Sequence, residues 1–406
     1  MHARLVAFRA LVSEVVILVS VVMALAGAGM AFQLSPGPDS RFDRVGQVMG
    51  HDFSHFWIAG RAALDGRPTD AFDVRTHEAN QRRVFGADVG TFGWHYPPPF
   101  LLPAALLAML PLPLAFAVWM VSTNALLLFA LWRLVPDWRV LIVAVGSPML
   151  FQNINYGQNA ALSAALVGFS VTPYVRGLQP SAWALGLLSY KPNLGLPLPF
   201  VLGASGFWKS MLGAAGVIGA QVLLTCWVFG FETWTAFFHS IKQSQEILLQ
   251  TMDAGMARYA SAFGAARVLG LPVSSAYGLQ IASTVLSISL CATVWLGTGD
   301  RRLKAALLIA ALPLCTPYLL QYELLILLPA AVLLYSYGRE HGFAVWDAPM
   351  LGLLWVLPTI SQDAAALLHI PTAFPVMACF FGLILRRIRR ERQNVPAMAP
   401  RIPAAA

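Results

Sequence analysis

The sequence predicts an all-α integral membrane protein that crosses the membrane about twelve times. Of its 406 residues, 58% are hydrophobic and only 11% are charged, and the mean hydropathy is +0.65. A soluble domain of this size needs far more charge to cover its surface. Apolar runs separated by short polar turns recur from Leu11 to Leu385. We therefore expect one membrane-embedded domain over residues 1–390 rather than several soluble domains.

The first apolar run covers residues 11–32 and predicts the first span. It is long enough to cross the membrane, and no convincing small-residue cleavage site precedes the polar loop that follows. We therefore expect a retained first helix rather than a secretory signal peptide.

Short basic turns predict the orientation of the chain. Lys and Arg are enriched on the cytoplasmic side of membranes, so their positions place both termini in the cytoplasm. This distribution also argues against nucleic-acid binding as the reason for the net charge of +8. The outer side then carries a long loop at 33–97 and a second one at 231–270, and the Pro/Ala-rich tail at 391–406 is expected to be disordered and cytoplasmic. The basic turns are 132–139, Arg176, Lys209, 301–304, Arg339 and 386–390.

Some apolar segments differ from simple spanning helices. Residues 97–110 are only fourteen in number and begin with three prolines. If they crossed the membrane, the basic turn at 132–139 would lie outside, so we expect an embedded or interfacial helix on the outer side. Residues 183–190 and 194–200 are short and rich in Pro and Gly, which is typical of broken helices that line a cavity.

Polar side chains collect at the outer ends of the predicted spans. Lys191, Glu323 and Asp363 lie there, and five amide side chains share the turn at 152–159. Because ionisable groups are costly inside a membrane, this bias predicts a polar site at the outer boundary. The alternative interpretation is that each loop-end residue is simply solvated.

The first outer loop contains the motif Gly50-His51-Asp52-Phe53-Ser54-His55. Apolar residues then recur at helical spacing through Phe53, Phe56, Trp57, Gly60 and Leu64, which predicts a helix that lies in the membrane interface. Asp52 and His55 are expected to point together from its first turn. Asp52 is either the N-cap of this helix or a general base at the membrane surface, and the pattern alone does not decide between them.

A second motif, Trp94-His95-Tyr96-Pro97-Pro98-Pro99-Phe100, stands where the loop returns to the membrane. Proline cannot continue a helix and fixes the backbone at this point. His95 and Tyr96 would then lie at the boundary, near Asp52 if the loop folds back. An interfacial belt of aromatic residues is the alternative interpretation.

At these motifs the chain resembles glycosyltransferase family 87, within the wider GT-C class of membrane transferases. The resemblance depends on five pieces that follow one another in order along most of the chain, although none of them is specific alone. Characterised members often carry a histidine near the last piece, where this chain has Gln321-Tyr322-Glu323. The pieces are Asp52-Phe53 with Phe56-Trp57-Ile58-Ala59-Gly60 and Gly66, Tyr96-Pro97-Pro98, Tyr156-Gly157-Gln158-Asn159, Lys191-Pro192, and Pro317-Tyr318 with Tyr322-Glu323.

The resemblance implies a GT-C-like fold of about a dozen helices in the bacterial inner membrane, with its site on the periplasmic face. It also implies inverting transfer of a sugar, commonly mannose, from a polyprenyl-phosphate donor to a glycolipid or glycan acceptor, with Asp52 as the catalytic base. Lys191 is the first candidate for neutralising the donor phosphate, followed by Arg61 and Arg258. The other expected substrate contacts are His55, His95, Tyr96, Gln158, Asn159, Tyr318, Tyr322 and Glu323.

The sequence predicts no cofactor. It contains no convincing glycine-rich phosphate-binding loop, and a lipid phosphate leaves without one. The four cysteines stand singly in apolar stretches, and the outer acids are scattered, so neither a disulfide nor a divalent metal site is predicted. Two alternatives of other classes are a secondary transporter and a non-catalytic subunit for cell-envelope assembly. A transporter predicts ionisable groups near mid-membrane and repeat symmetry, which are not visible here. A scaffold has no use for Asp52.

Overall fold

The computed structural model describes residues 2–87, 90, 93–245 and 253–394 as a helical assembly. Within those ranges there is no named β-strand, and extended pairing is confined to isolated bridges. The α-helices are α1 (His2–Gln33), α2 (Phe53–Leu64), α3 (Val74–Phe85), α4 (Leu101–Ala108), α5 (Leu112–Leu134), α6 (Trp138–Val145), α7 (Pro148–Asn155), α8 (Ala160–Val175), α9 (Ala182–Leu187), α10 (Pro192–Gly195), α11 (Pro197–Ala204), α12 (Trp208–Phe229), α13 (Glu232–Gln245), α14 (Ala262–Val268), α15 (Val273–Leu296), α16 (Arg301–Ala311), α17 (Leu328–His341), α18 (Asp347–Leu368) and α19 (Ala373–Asn394). Short 3₁₀ helices are Pro68–Phe72, Pro98–Phe100, Leu188–Tyr190, Asp253–Arg258, Pro313–Cys315 and Gln321–Leu327.

Several of these helices identify a multi-pass membrane protein. In the part of the chain that the structure describes, five are long and apolar enough to cross a membrane: Glu14–Gln33, Leu112–Leu134, Trp208–Phe229, Val273–Leu296 and Asp347–Leu368. The apolar segments Pro98–Ala108 and Ala160–Val175 are shorter. The all-helical class is therefore confirmed, whereas the number of about twelve spans stays a prediction.

Proline divides the remaining apolar sequence into short helices. Residues 182–204 form four pieces, and Pro192 and Pro197 each begin a new one, as the first position of a helix allows. The predicted breaks in this region are thus present. The helical stretch Pro98–Ala108 extends about 16 Å, roughly half of the hydrocarbon core of a membrane. This length agrees with an embedded helix, and its side of the membrane stays a prediction.

The predicted outer loop at 33–97 contains α2, α3 and the 3₁₀ helix Pro68–Phe72. The helix predicted after Asp52 is confirmed, but its one-sided apolar face is wrong. Leu64 is 45% exposed, whereas Ser54 and His55, outside that face, are buried. The reason is packing against α4: a Cβ on Gly60 would lie 2.1 Å from the backbone oxygen of Ala104. Protein therefore surrounds most of α2.

The prediction for the C-terminal tail needs one correction, and parts of the predicted tail and outer loops lie outside the described residues. The tail was expected to be disordered from residue 391, yet α19 continues to Asn394. It does so because Glu391 accepts the Asp300 backbone N–H at 3.0 Å and Arg392 donates to the Thr298 carbonyl at 2.8 Å. Residues 395–406 lie outside the described residues, as do parts of the two predicted outer loops (88, 89, 91, 92 and 246–252).

The predicted cytoplasmic turns lie together, at what we call the basic end of the molecule. Arg176 donates to the Arg133 carbonyl at 2.5 Å, and Arg301 donates to the Tyr174 carbonyl at 3.4 Å. Arg339 pairs with Asp137. The core lies between this end and the opposite end. In the core, α8, α16 and the helix Gln321–Leu327 are buried along most of their length.

Candidate functional site

Asp52 does not cap the helix that follows it. The residue stands at the N-cap position of α2, but its backbone is helical (φ −61°, ψ −24°) and its side chain makes no capping hydrogen bond. Instead, Asp52 Oδ2 accepts a hydrogen bond of 2.6 Å from Gln158 Nε2, 106 residues further along the chain. The N-cap interpretation of Asp52 is therefore wrong, and its carboxylate belongs to a tertiary contact.

Glycine makes that contact possible. Gly157 has φ +63°, a left-handed backbone conformation that favours glycine. A Cβ at this position would lie 2.1 Å from the Gly50 carbonyl oxygen and 2.8 Å from the Phe53 Cβ. The turn before α8 can thus approach the start of α2 closely enough for Gln158 to reach Asp52. Two residues of the motif Tyr156-Gly157-Gln158-Asn159 therefore have different roles: Gly157 allows the close approach, and Gln158 makes the polar contact.

Gln158 connects Asp52 with a buried aromatic and charged cluster. The Tyr96 hydroxyl lies 3.4 Å from Gln158 Oε1, and Lys191 Nζ lies 5.9 Å from the centre of the Tyr96 ring. Lys191 Nζ in turn contacts Glu323 Oε1 at 2.5 Å. We call the region around these five side chains the Asp52 end. It joins the predicted first outer loop, the turn before α8, the break before α10 and the helix Gln321–Leu327.

The Lys191–Glu323 pair is buried, with each residue only 5% exposed. The second carboxylate oxygen of Glu323 accepts the Leu320 backbone N–H at 2.9 Å. A buried charge without a partner is strongly destabilising, so the two residues depend on each other. In this pair the charges of Lys191 and Glu323 neutralise each other, and the Leu320 N–H gives the Glu323 carboxylate a second hydrogen-bond donor.

The electrostatics of Asp52 differ from those of a solvated carboxylate. Burial raises its pKa to about 6, although the hydrogen bond from Gln158 and the positive charge of Arg258 oppose that rise. Arg258 ends the 3₁₀ helix Asp253–Arg258 and is exposed. Asp52 therefore changes its protonation state near neutral pH, which is the range a general base needs.

Three histidines lie beside this cluster. The His55 and His77 ring centres are 6.2 Å apart, and the His55 ring stacks on Tyr96 at 6.5 Å. Burial lowers the pKa of His77 to about 4 and the pKa of His55 well below its usual range, and the neighbouring His95 lowers both further. Both His55 and His77 are thus neutral at pH 7. The expectation that Asp52 and His55 point together is not met, because Asp52 faces Gln158 while His55 is packed among rings.

Other predicted residues occupy different places. Asn159 is fully buried, and its carbonyl accepts the Tyr190 hydroxyl at 3.2 Å. The Tyr322 ring packs 5.7 Å from Tyr156, and the Tyr318 carbonyl accepts a hydrogen bond from Asn193.

Arg61 is not part of this cluster. It lies nine residues beyond Asp52 on α2, which is about 13 Å along the helix axis. At that position it forms an exposed ion pair with Asp65 at 3.8 Å.

Sequence reasoning missed three members of the Asp52 end. Tyr190 and Ser163 form a buried hydroxyl pair at 2.5 Å behind the Tyr96 ring, which stacks on Tyr190 at 6.4 Å. His77 lies in a polar helix whose pattern gave no signal. Tyr190 directly precedes the Lys191-Pro192 motif, and this neighbourhood is the one signal in the sequence that points to it.

The arrangement suits proton transfer at a partly buried carboxylate next to a polar, aromatic wall. Asp52 can accept a proton, and Gln158 can hold it in one orientation. Among the described residues, no three His, Cys, Asp or Glu side chains are grouped so that they could hold a metal ion.

Comparison with known proteins identifies one family. The model of glycosyltransferase family 87 matches residues 94–317. No curated protein and no solved structure matches the chain. The matched segment contains Tyr96, Gln158 and Lys191, whereas Asp52 precedes it and Glu323 follows it.

Proposed function

Because the chain belongs to glycosyltransferase family 87, we propose that it transfers mannose from a polyprenyl-phosphate donor to a glycolipid or glycan acceptor. The observation that carries the proposal is the Asp52 carboxylate. It is released from helix capping, held by Gln158 and shifted to a pKa of about 6. Family membership favours a transferase over the transporter and the assembly subunit.

In the proposed reaction, Asp52 removes the proton from an acceptor hydroxyl. The acceptor oxygen then bonds to the anomeric carbon of the sugar, and the bond from that carbon to the phosphate oxygen breaks on the opposite face. The bonding pair leaves with the polyprenyl phosphate, and the configuration at the anomeric carbon inverts. A general base positioned in this way contributes about 10²–10⁴-fold to the rate.

Arg258 is the cation that we assign to the donor phosphate. Lys191 was the first candidate, but its charge is already matched by Glu323 at 2.5 Å. Arg258 is exposed, and its charge acts on Asp52. An arginine can bind phosphate through two parallel hydrogen bonds. Lys191 and Glu323 are then proposed to support the Tyr96 wall rather than to bind the phosphate.

The proposed location is the inner membrane of a bacterium, with both termini in the cytoplasm and the Asp52 end on the periplasmic face. Two observations support this orientation. The basic turns lie together at one end of the molecule, which is the cytoplasmic end by the positive-inside rule. The Asp52 end is formed by loops that contain none of these basic turns. There, a donor whose polyprenyl chain lies in the membrane can bring its phosphate to Asp52.

The test is transfer of radiolabelled mannose from polyprenyl-phosphate mannose by membranes that contain the wild-type chain or Asp52→Asn. Asparagine keeps the size of the side chain but cannot accept the proton, so we expect transfer to fall by about 10²–10⁴-fold. Asp65→Asn is the matched control, because Asp65 lies just beyond the other end of α2 and is exposed. It should retain wild-type transfer.

The possible results separate the parts of the proposal. Equal transfer by Asp52→Asn and wild type would refute the role of Asp52 as base. If the wild-type chain transfers no mannose, donors with another hexose or a pentose are tested in the same membranes. Absence of transfer from every polyprenyl-phosphate sugar would refute the donor class.

A further inference from the structure

An apolar cavity of about 590 Å³ lies between α1, α6, α17 and α18, away from Asp52. Its volume is within the range of about 300–1,000 Å³ that is usual for small-molecule sites. It is open beside Val15, Val16 and Val19 of α1, which are 40–50% exposed. Because α1 is a candidate membrane span, the cavity can be entered from the lipid.

The interior of the cavity offers almost no polar partner to a ligand. The Ser20 hydroxyl donates to the Val16 carbonyl at 2.8 Å, and the Ser147 hydroxyl accepts the Met149 backbone N–H at 3.3 Å. The Trp355 indole N–H donates to the Val143 carbonyl at 3.3 Å. The ligand that such a lining favours is therefore a hydrocarbon chain.

One end of the cavity carries a positive charge. Arg139 lines it there, together with Tyr335. Within the described part of the chain, the Arg139 guanidinium lies 5.2 Å from the Trp138 ring and forms no ion pair, whereas its neighbour Asp137 is already paired with Arg339. The cavity thus combines an apolar interior with an arginine that lacks an anion, at the basic end of the molecule.

We propose that this cavity binds one acyl chain of an anionic phospholipid, whose phosphate pairs with Arg139. Basic pockets between membrane helices on the cytoplasmic side are suited to anionic lipid headgroups. The polyprenyl donor fits less well, because its phosphate must reach Asp52 at the opposite end. This inference concerns a second lipid site and does not depend on the proposed transfer reaction.

The cavity can be filled by a single substitution. Gly352 lines it on α18, and a Cβ added there meets no atom within 4 Å. Gly352→Leu therefore occupies cavity space without a backbone clash. Gly278→Leu is the matched control, since Gly278 lies in α15, is exposed, and also has open space around it.

The experiment measures retained lipid. The full chain and its variants are purified in mild detergent from membranes, exchanged into micelles with equal amounts of phosphatidylglycerol and phosphatidylcholine, and analysed by mass spectrometry of the bound lipid. We expect the wild type and Gly278→Leu to retain phosphatidylglycerol and Gly352→Leu to lose it. Arg139→Gln should reduce the preference for phosphatidylglycerol about fivefold, while Arg133→Gln, at the same end, should not.

Equal retention by Gly352→Leu and Gly278→Leu would overturn the proposal. So would an unchanged lipid preference in Arg139→Gln, or retention of polyprenyl phosphate in place of phospholipid. Each variant is compared only if it elutes as a single species with a melting temperature near that of the wild type. If Gly352→Leu fails this requirement, Ala348→Leu, which lines the same cavity, takes its place.

Discussion

The basic end and the Asp52 end both pair Lys or Arg with Asp or Glu, but in different surroundings. At the basic end, Arg339 pairs with Asp137 and Arg302 pairs with Glu340, and the Arg339 and Glu340 side chains are 48% and 62% exposed. At the Asp52 end, Lys191 and Glu323 are each 5% exposed. In each of these two basic-end pairs one partner is open to water, whereas neither partner is open at the Asp52 end. These two charged pairs at the basic end therefore lie partly in water, whereas the charged pair at the Asp52 end lies inside the protein.

The largest predicted effect that tests this comparison comes from removing one partner of the buried Lys191–Glu323 pair. We expect Glu323→Gln to reduce the free energy of unfolding by about 3–5 kcal/mol, because Lys191 is left as an uncompensated buried charge. Arg339→Gln at the basic end should cost no more than about 1 kcal/mol. Both are measured by denaturant unfolding in detergent micelles. Equal costs for the two variants would break the comparison.

The double variant Lys191→Met/Glu323→Gln is the control for this prediction. It removes both charges, so it should be more stable than either single variant. If it were as unstable as the sum of the single variants, the cost would come from lost packing rather than from the unpaired charge.

A second prediction compares glycines at the two ends. Gly157 at the Asp52 end and Gly342 at the basic end both have a positive φ, +63° and +81°, which favours glycine. A Cβ on Gly342 meets no atom within 4 Å, whereas one on Gly157 would collide with the Gly50 carbonyl. We expect Gly342→Ala to cost about 1–3 kcal/mol of stability, because alanine rarely adopts this backbone conformation, and Gly157→Ala to cost more. Gly157→Ala should also reduce sugar transfer, because the Gln158 side chain is displaced from Asp52.

Transfer and unfolding are measured on the same preparations of both glycine variants. Gly342→Ala should keep wild-type transfer. If Gly157→Ala does so as well, the close approach of the two loops is not needed for the site.

Much of the architecture could be predicted because membranes restrict the sequence so strongly. Hydropathy predicted an all-helical multi-pass chain, and the Pro- and Gly-rich residues 183–190 and 194–200 predicted broken helices, two of which begin at Pro192 and Pro197. The burial of α2 could not be predicted. Its amphipathic pattern is the same whether the apolar face meets lipid or protein, and only the contact of Gly60 with α4 decides between them.

The site was predictable as a set of residues but not as a set of contacts. Asp52, Gln158, Lys191 and Glu323 could be selected because each is polar at a predicted membrane boundary. Their pairing depends on contacts over more than a hundred residues, such as Asp52 with Gln158 and Lys191 with Glu323. No local pattern contains such a contact. For that reason, the ion pair between Lys191 and Glu323 could not be foreseen. In our proposal, this ion pair is why we assign the donor phosphate to Arg258 and not to Lys191.

A third prediction uses the pH dependence of the Asp52 end. Transfer should rise with pH through about 6, because Asp52 must lose its proton before it can act as the proposed general base. The hydrogen bond from Gln158 lowers the pKa of Asp52, so Gln158→Leu should move this acid limb to higher pH. Arg339→Gln should leave the limb unchanged. The measurement is the transfer rate from pH 5 to 8, and an unshifted limb in Gln158→Leu would show that Gln158 does not act on Asp52.

The last prediction concerns the stability that the raised Asp52 pKa costs the fold. Burial favours the protonated form, so the contribution of Asp52 to stability is full below its unfolded pKa near 3.8 and is lost as the pH rises through about 6. Asp52→Asn has no charge to bury. It should therefore unfold at nearly the same denaturant concentration as the wild type at pH 4 and be more stable by up to about 3 kcal/mol at pH 8. Asp65→Asn, at an exposed position, should show no such dependence. If the protein becomes more stable when Asp52 is replaced, the position of this carboxylate serves the proposed reaction and not the stability of the fold. The opposite sign, with Asp52→Asn less stable at pH 8, would mean that the carboxylate holds the two loops together.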